Sequence, residues 1–218
     1  MTQPERLARG GPDWPGHVLL ESMLMCLDAA RVWHGRYVAL LRERAERSSG
    51  QERRTYLEVL HALRRVPESP PETFHEALQS LWFVYAFQRL CGNWLGLGRL
   101  DQILGPYLER DLACDRITLD DARELVAHFW IKGCEWIGAP HWESGDAQFY
   151  QNVILGGVDE DGVEVTNAFT YLVLDVVQEL HISDFPIAVR VNDRTPRRLW
   201  RHIAEVQRRG GGIVSIYN

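Results

Sequence analysis

"YQNVILGGVDEDGVEVTNAFTYLVLD" (residues 150–175) decides the fold. Its apolar run, Val153 to Leu155, is closed by Gly156 and Gly157, the composition of a buried strand and its stop. "DEDG" (159–162) makes a turn, and "TNAFTYLVLDVVQEL" (166–180) carries the apolar spacing of a helix. Downstream the alternation repeats. "FPIAVRVN" (185–192) reads as a second strand, and "IVSIYN" (213–218) as a third. Between them "TPRRLWRHIAEVQRRGGG" (195–212) reads as a helix with Thr195 as cap, Pro196 at its first position and glycine at its end. Strand–helix–strand units of this kind pair their strands in parallel through right-handed crossovers. Three parallel strands leave two open edges, so the expectation is part of a larger sheet or barrel, with no closing element after the last strand.

Upstream the period changes to that of a helix. Residues 1–17 read as irregular, 18–142 as a helical part, and 143–218 as the β-α-β-α-β part. In "HVLLESMLMCLDAARVWHGRYVALLRERAER" (17–47), Leu20, Leu24, Leu27, Val32 and Leu41 form the apolar stripe of one long amphipathic helix. "SSGQ" interrupts it, and "ERRTYLEVLHALRRV" (52–66) resumes before Pro67, Pro70 and Pro71 stop it. Thr73 with Glu76 makes a capping box for "FHEALQSLWFVYAFQRL" (74–90), a helix apolar enough on all sides to be central. Thr118 caps the helix that follows, with Asp121 in its first turn. The fold class expected is therefore α/β, with a mainly helical first two-thirds followed by parallel strand–helix–strand units.

Composition narrows the function. At 218 residues, 45% hydrophobic and 25% charged, the chain can bury a real core. A net charge of −6 offers no general footprint for nucleic acid. No apolar run approaches the roughly 20 residues that span a bilayer, and the N-terminus has no secretory pattern. Cys26, Cys91, Cys114 and Cys134 form no C-x-x-C pair, which suggests free thiols in a reducing cytoplasm.

Several motifs invite chemistry. Gly210 to Gly212 follow a helix and precede a strand, the reverse of a phosphate cradle, and read as a helix stop and tight turn. "GNWLGLG" (92–98) also lacks the strand that a phosphate loop needs. Cys134 in "GCE" has a carboxylate neighbour but lies late in a periodic helix, so a structural thiol is expected. The eight histidines have no metal-ligand spacing, and no metal is expected. "HWESGDAQFYQN" (141–152) crowds amide, carboxylate and ring groups before the first strand, which makes Gln148, Tyr150 and Gln151 candidates for substrate contact. In "GLGRLDQILGPYLERDL" (96–112), Arg99 and Asp101 follow an apolar helix and fall at the edge of a core, where each charge needs a partner.

Taken in order, these blocks resemble the glycyl radical enzymes, specifically the pyruvate formate-lyase (PFL) domain, over about residues 18–218. The resemblance is carried by "ESMLMCLDAARVWHGRYVALL" (21–41), "RRVPESPPETFHEALQSLWFVYAF" (64–87) and "LGRLDQILGPYLERDL" (97–112). The block quoted at the outset and "IAVRVNDRTP" (187–196) extend it. It implies a share of the family's α/β barrel, with Arg99, Asp101, Gln102 and Arg190 as structural signature residues. Arg99 and Asp101 are then a pair that fixes a turn near the substrate cavity. Where many relatives carry "N-G-H-S", this chain has Cys91, Gly92, Asn93 and Trp94, so Asn93 and Trp94 become pocket candidates in a departure from the family pattern.

The resemblance also implies radical cleavage of a small polar substrate. The family stores a glycyl radical in "R-V-x-G-[FY]" and forms a thiyl radical in "G-C-x-E", and neither motif occurs in this sequence in its family context. No catalytic residue and no bound cofactor is therefore expected in the chain itself, which should be inactive alone. The implied partners are an S-adenosylmethionine-dependent radical activating enzyme, the remaining portion of the enzyme, and further copies of the chain. Nucleic acid and membranes are not among them, and the implied location is the cytoplasm. A non-catalytic helical scaffold built on the same fold is the alternative.

Overall fold

The computed structural model describes residues 16–90, 96–134, 152–182 and 185–218. They fall into two compact units, Met1–Ser69 and Pro70–Asn218. The helical part expected as one piece thus divides where Pro70 and Pro71 interrupt the helices.

The first unit pairs α1 (His17–Arg47) with α2 (Gly50–Leu63). The 31-residue α1 is about 46 Å long and the 14-residue α2 about 21 Å, so within the unit α2 covers less than half of its partner. The expected apolar stripe of α1 is accordingly covered only in part. Leu20 is buried and Leu24 and Leu41 are half-buried, whereas Leu27 and Val32 are exposed. His34 is buried; its Nε2 lies 2.7 Å from the Leu63 carbonyl and its Nδ1 3.3 Å from Glu68. Arg31 reaches the same Glu68 at 3.3 Å, which ties the chain leaving α2 back to α1.

The second unit contains α3 (Phe74–Leu90), α4 (Leu100–Ala113) and α5 (Leu119–Cys134), then β1 (Val153–Gly156), α6 (Ala168–Leu180), β2 (Ile187–Arg190), α7 (Arg197–Arg208) and β3 (Val214–Tyr217). The strands form one parallel sheet in the order β1-β2-β3, with Val153, Ile187 and Val214 in register. The edge of β1 expected to be open is partly closed. Leu97 and Gly98 donate to the Asn152 carbonyl at 2.9 and 3.1 Å, and Ile154 donates to the Gly98 carbonyl at 2.7 Å. Among the described residues, β3 pairs with β2 alone.

Leu100, Leu104 and Leu108 of α4, spaced by four, are fully buried with Phe74, Trp130, Phe169, Leu155 and Ile187. Each such side chain contributes about 1.5–3 kcal/mol by leaving water. Helix α3 is more one-sided than its composition suggests: Phe83, Tyr85 and Ala86 are buried, but Val84 and Leu90 face solvent.

Caps follow the sequence closely, with two adjustments. Thr118 and Asp121 bond reciprocally at the start of α5. Thr73 accepts from Glu76 N as expected, but the Glu76 carboxylate reaches back to Glu72 N, one residue beyond a standard box. Helix α7 starts at Arg197 with Pro196 as its N-cap. The expected cap Thr195 instead accepts from Asn192 N at 2.8 Å and faces Glu164, so its hydroxyl is used by the preceding turn. Gly210, Gly211 and Gly212 all have positive φ, which confirms the tight turn between α7 and β3.

Candidate functional site

The residues singled out between Arg99 and Gln102 meet the end of β1 and the start of α6. Arg99 precedes α4, and Asp101 and Gln102 lie in its first turn. The Arg99 guanidinium donates to the carbonyls of Gly156 at 3.0 Å and Val158 at 2.9 Å. The Asp101 carboxylate accepts from Gly156 N at 2.5 Å and from the Thr170 hydroxyl at 2.9 Å. Arg99 and Asp101 therefore grip the same residue, Gly156, by its carbonyl and its N–H rather than bonding each other. Gln102 completes the hold by donating to the Val165 carbonyl at 3.1 Å.

Helix α6 is locked to the same place. Asn167 is its N-cap and forms a capping box with Thr170. The Asn167 amide also donates to the Asp101 carbonyl at 2.7 Å. That approach needs Gly105, since a Cβ there would stand 2.7 Å from Asn167 Cγ. The sequence offered a sign of this cap in "T-N-A-F-T", an asparagine followed three residues later by a threonine. Nothing local reveals that the cap also bonds a backbone carbonyl 66 residues away.

Electrostatics separates two carboxylates of this region, the buried Asp101 and the half-buried Glu164. Asp101 is fully buried, and desolvation pushes its carboxyl above the ordinary value. Hydrogen bonds from Gly156 and Thr170 and the nearby Arg99 charge pull the other way without cancelling the effect. Glu164 shows the opposite balance. Its partial burial raises the carboxyl, but bonds from Thr166, Asn192 and Thr195 outweigh it and hold the group below its ordinary value. Glu164 thereby ties the turn after β1 to the loop after β2, and Arg194 adds a bond to the Gly162 carbonyl at 3.0 Å.

Arg190 ends β2 opposite Gly156, with its side chain exposed and lying across Gly157. A Cβ on Gly157, which has φ +84°, would stand 2.7 Å from Arg190 Cβ. Asp111 is a further buried acid that sequence reasoning missed. It accepts from Phe74 N at 2.7 Å and from Arg116 at 2.6 Å, and so caps α3 from the far end of α4.

The bonds of Arg99, Asp101 and Gln102 hold the end of β1 and the start of α6 against the first turn of α4. Cys134 is the last residue of α5, and the glycine before it has a packing reason: a Cβ at Gly133 would collide with the Phe185 ring. The pocket candidates Asn93, Trp94, Gln148, Tyr150 and Gln151 lie outside the described residues. Among the described residues no group of His, Cys, Asp and Glu could hold a metal ion. No helix among them is long and apolar enough to cross a membrane.

Known proteins are similar to this chain in sequence and in fold. The chain is 32% identical over 216 residues to isethionate sulfite-lyase of Nitratidesulfovibrio vulgaris, a match covering 91% of this chain and 25% of that protein. It is 30% identical to trans-4-hydroxy-L-proline dehydratase of Clostridioides difficile, covering 91% and 26%. The crystal structure of the hydroxyproline dehydratase of the same organism, with its substrate bound, superposes with a TM-score of 0.91 at 28% identity over 99% of this chain and 29% of that one. A glycyl radical enzyme from Archaeoglobus fulgidus gives a TM-score of 0.88 at 27% identity, covering 99% and 29%. The chain thus spans about a quarter of the length of the curated relatives it matches. The family model for pyruvate formate lyase-like proteins matches residues 5–218, and with these relatives it shows that the chain belongs to the pyruvate formate lyase-like family of glycyl radical enzymes.

Proposed function

We propose that this chain supplies one portion of a glycyl radical lyase or dehydratase that cleaves a small polar substrate. The observation that carries this reading is the family match over residues 5–218, joined to relatives named as a sulfite-lyase and a dehydratase. In such an enzyme a cysteine thiyl radical removes a hydrogen atom from the substrate, and the substrate radical then breaks its bond. Both the thiyl-forming cysteine and the radical glycine belong to motifs that this sequence does not contain in family context. The role proposed for the chain is therefore structural and substrate-facing. The Arg99–Asp101 junction fixes the end of β1, and Asn93, Trp94, Gln148, Tyr150 and Gln151 are the residues proposed to contact the substrate.

The chain binds no cofactor of its own in this reading. The radical resides on another segment, installed by an activating enzyme that uses S-adenosylmethionine and an iron–sulfur cluster, in the cytoplasm of an anaerobically growing cell. The remaining portion of the enzyme is the main partner, with further copies of the chain completing a homo-oligomer. β3 supports this assignment: among the described residues it pairs with β2 alone, and its other edge is suited to receive another strand.

The test is to incubate the purified chain with an activating enzyme, alone and with the remaining three-quarters of a relative. A glycyl signal in electron paramagnetic resonance, and turnover, are expected only in the mixture. A glycyl signal on the chain alone overturns the assignment of the radical to another segment. Absence of both in a mixture that forms a stable complex overturns the enzymatic reading.

A further inference from the structure

We propose that the outward face of α7 is a docking surface for an acidic polypeptide segment. Leu199, Ile203 and Val206 form the ridge by which α7 packs on its unit. Arg197, Arg201, Ala204 and Arg208, spaced by four, three and four, form the row directly opposite, and all are exposed. Trp200, 42% exposed, lies beside that row and, with Ala204, makes an apolar floor between the guanidinium groups. The row extends about 16 Å along the helix.

Arg197 and Arg201 do not serve the helix that carries them. Its first turn has no acidic residue, and Arg197 and Arg198 occupy it, where the helix dipole already presents positive charge. Arg197 and Arg201 repel each other at a spacing of four. Nearby arginines are employed within the fold: Arg194 donates to the Gly162 carbonyl, and Arg198 sits 4.3 Å over the Tyr171 ring. Arg197, Arg201 and Arg208 make no hydrogen bond or ion pair among the described residues. Arg197 and Arg201 weaken the start of their own helix, Arg208 suits its last turn, and a row of cations that bonds nothing among the described residues is suited to an external anion.

Charge and shape select the class of partner. Guanidinium groups take carboxylates bidentately, and tryptophan and arginine are the side chains that most often anchor protein interfaces. The chain as a whole carries −6, so long-range attraction of any anion is weak, and short-range bidentate contacts to carboxylates at the spacing of the row must carry binding. The apolar ridge of α7 is buried in the core and cannot turn outward to enter a bilayer. A short acidic helix can place carboxylates at the spacing of the row and an apolar side chain on Trp200. This inference rests on α7 alone and is independent of the radical chemistry.

The probe is a fluorescent 20-residue helical peptide with glutamate at i, i+4 and i+11 and leucine facing Trp200, titrated with the full chain by anisotropy. Saturable, salt-sensitive binding is expected, weakened at least tenfold in Arg197→Ala/Arg201→Ala/Arg208→Ala and severalfold in Trp200→Ala. Circular dichroism of the variants checks that they are folded. The charge-reversed chain Arg197→Glu/Arg201→Glu/Arg208→Glu should instead bind the lysine version of the peptide. Affinity unchanged by these substitutions, equal binding of a glutamine version, or tighter binding of phosphatidylglycerol vesicles or a single-stranded oligonucleotide overturns the proposal.

Discussion

The junction of α4, β1 and α6 and the pair α1–α2 are built on opposite plans. At the junction, the bonds made by Arg99, Asp101, Gln102 and Asn167 join residues 55 to 69 positions apart and bury a carboxylate. Among the described residues, most side-chain bonds of α1 and α2 are local, such as Arg47 to Glu43, Ser22 to the Val18 carbonyl and Arg54 to Gln51. A long-range, buried polar network forms only when the whole unit is folded, and its parts have no substitute in water once it is closed. Local exposed bonds form and break with their own helix. Damage should therefore be severe at the junction and slight along the exposed face of α1.

The largest effect is expected for Asp101→Ala. The substitution leaves the Gly156 N–H and the Thr170 hydroxyl without their acceptor inside the core. Each stranded group costs about 1–3 kcal/mol, so a loss of about 3 kcal/mol is expected in urea unfolding of the chain. Arg99→Ala, which frees two carbonyls, should cost about 2 kcal/mol. Stability close to wild type in both variants would show that the junction is not closed in solution.

Gly105→Ala attacks the same junction without touching a charge. The added methyl group would enter the Asn167 amide, displacing both the cap of α6 and its bond to the Asp101 carbonyl. Overpacking of this kind costs about 1–3 kcal/mol. A double variant, Gly105→Ala with Asn167→Ala, should lose less than the sum of the two changes, because each removes the same contact. Strict additivity would separate the glycine from the cap.

Much of this molecule was legible in its sequence. The parallel strands, the tight turn at Gly210 to Gly212 and the caps at Thr73 and Thr118 are local patterns, and all are present. The family blocks singled out the Arg99–Gln102 turn, whose side chains bond the Gly156, Val158 and Val165 backbone. What the sequence did not reveal is long-range geometry. Arg99 and Asp101, two residues apart and opposite in charge, looked like a pair, yet both bond Gly156, 55 or more residues away. Asp111 as the cap of α3 and the Leu97–Gly98 segment along β1 were hidden for the same reason. The stripe of α1 misled because periodicity says which residues share a face, not how long the covering partner is.

Acid–base titration sharpens the contrast within the junction. The folded state raises the Asp101 carboxyl, so it favours the protonated form more than the unfolded chain does. The stability tied to that proton is fully present below the ordinary aspartate value of about 3.9 and is lost as pH rises through the raised value. Glu164 is lowered, so its contribution is present above the ordinary glutamate value of about 4.3 and is lost as pH falls through the depressed one. Asp101→Asn should therefore gain on wild type as pH rises from acid toward neutral, and Glu164→Gln should lose on it over the range where the wild-type carboxylate becomes charged. Parallel pH profiles for wild type and Asp101→Asn would mean that the carboxyl is not desolvated.

The smallest effect is expected on α1. Met25 is 72% exposed and Leu27 53%, so their replacement removes little area that folding had taken from water. Met25→Gln and Leu27→Gln should each change stability by no more than about 0.5 kcal/mol, the usual range for surface positions. Leu20→Ala is the internal control on the same helix. Leu20 is buried, and removing its side chain should cost about 2–3 kcal/mol, toward the low end for leucine because the site is near a helix end. Urea unfolding of the three variants, followed by circular dichroism at several protein concentrations, separates the possibilities. If the glutamine variants are neutral at every concentration, the outer face of α1 is solvated as drawn. A loss above about 1 kcal/mol that grows with protein concentration would mean that a second copy covers this face, because only an intermolecular contact makes the apparent stability of a variant depend on concentration.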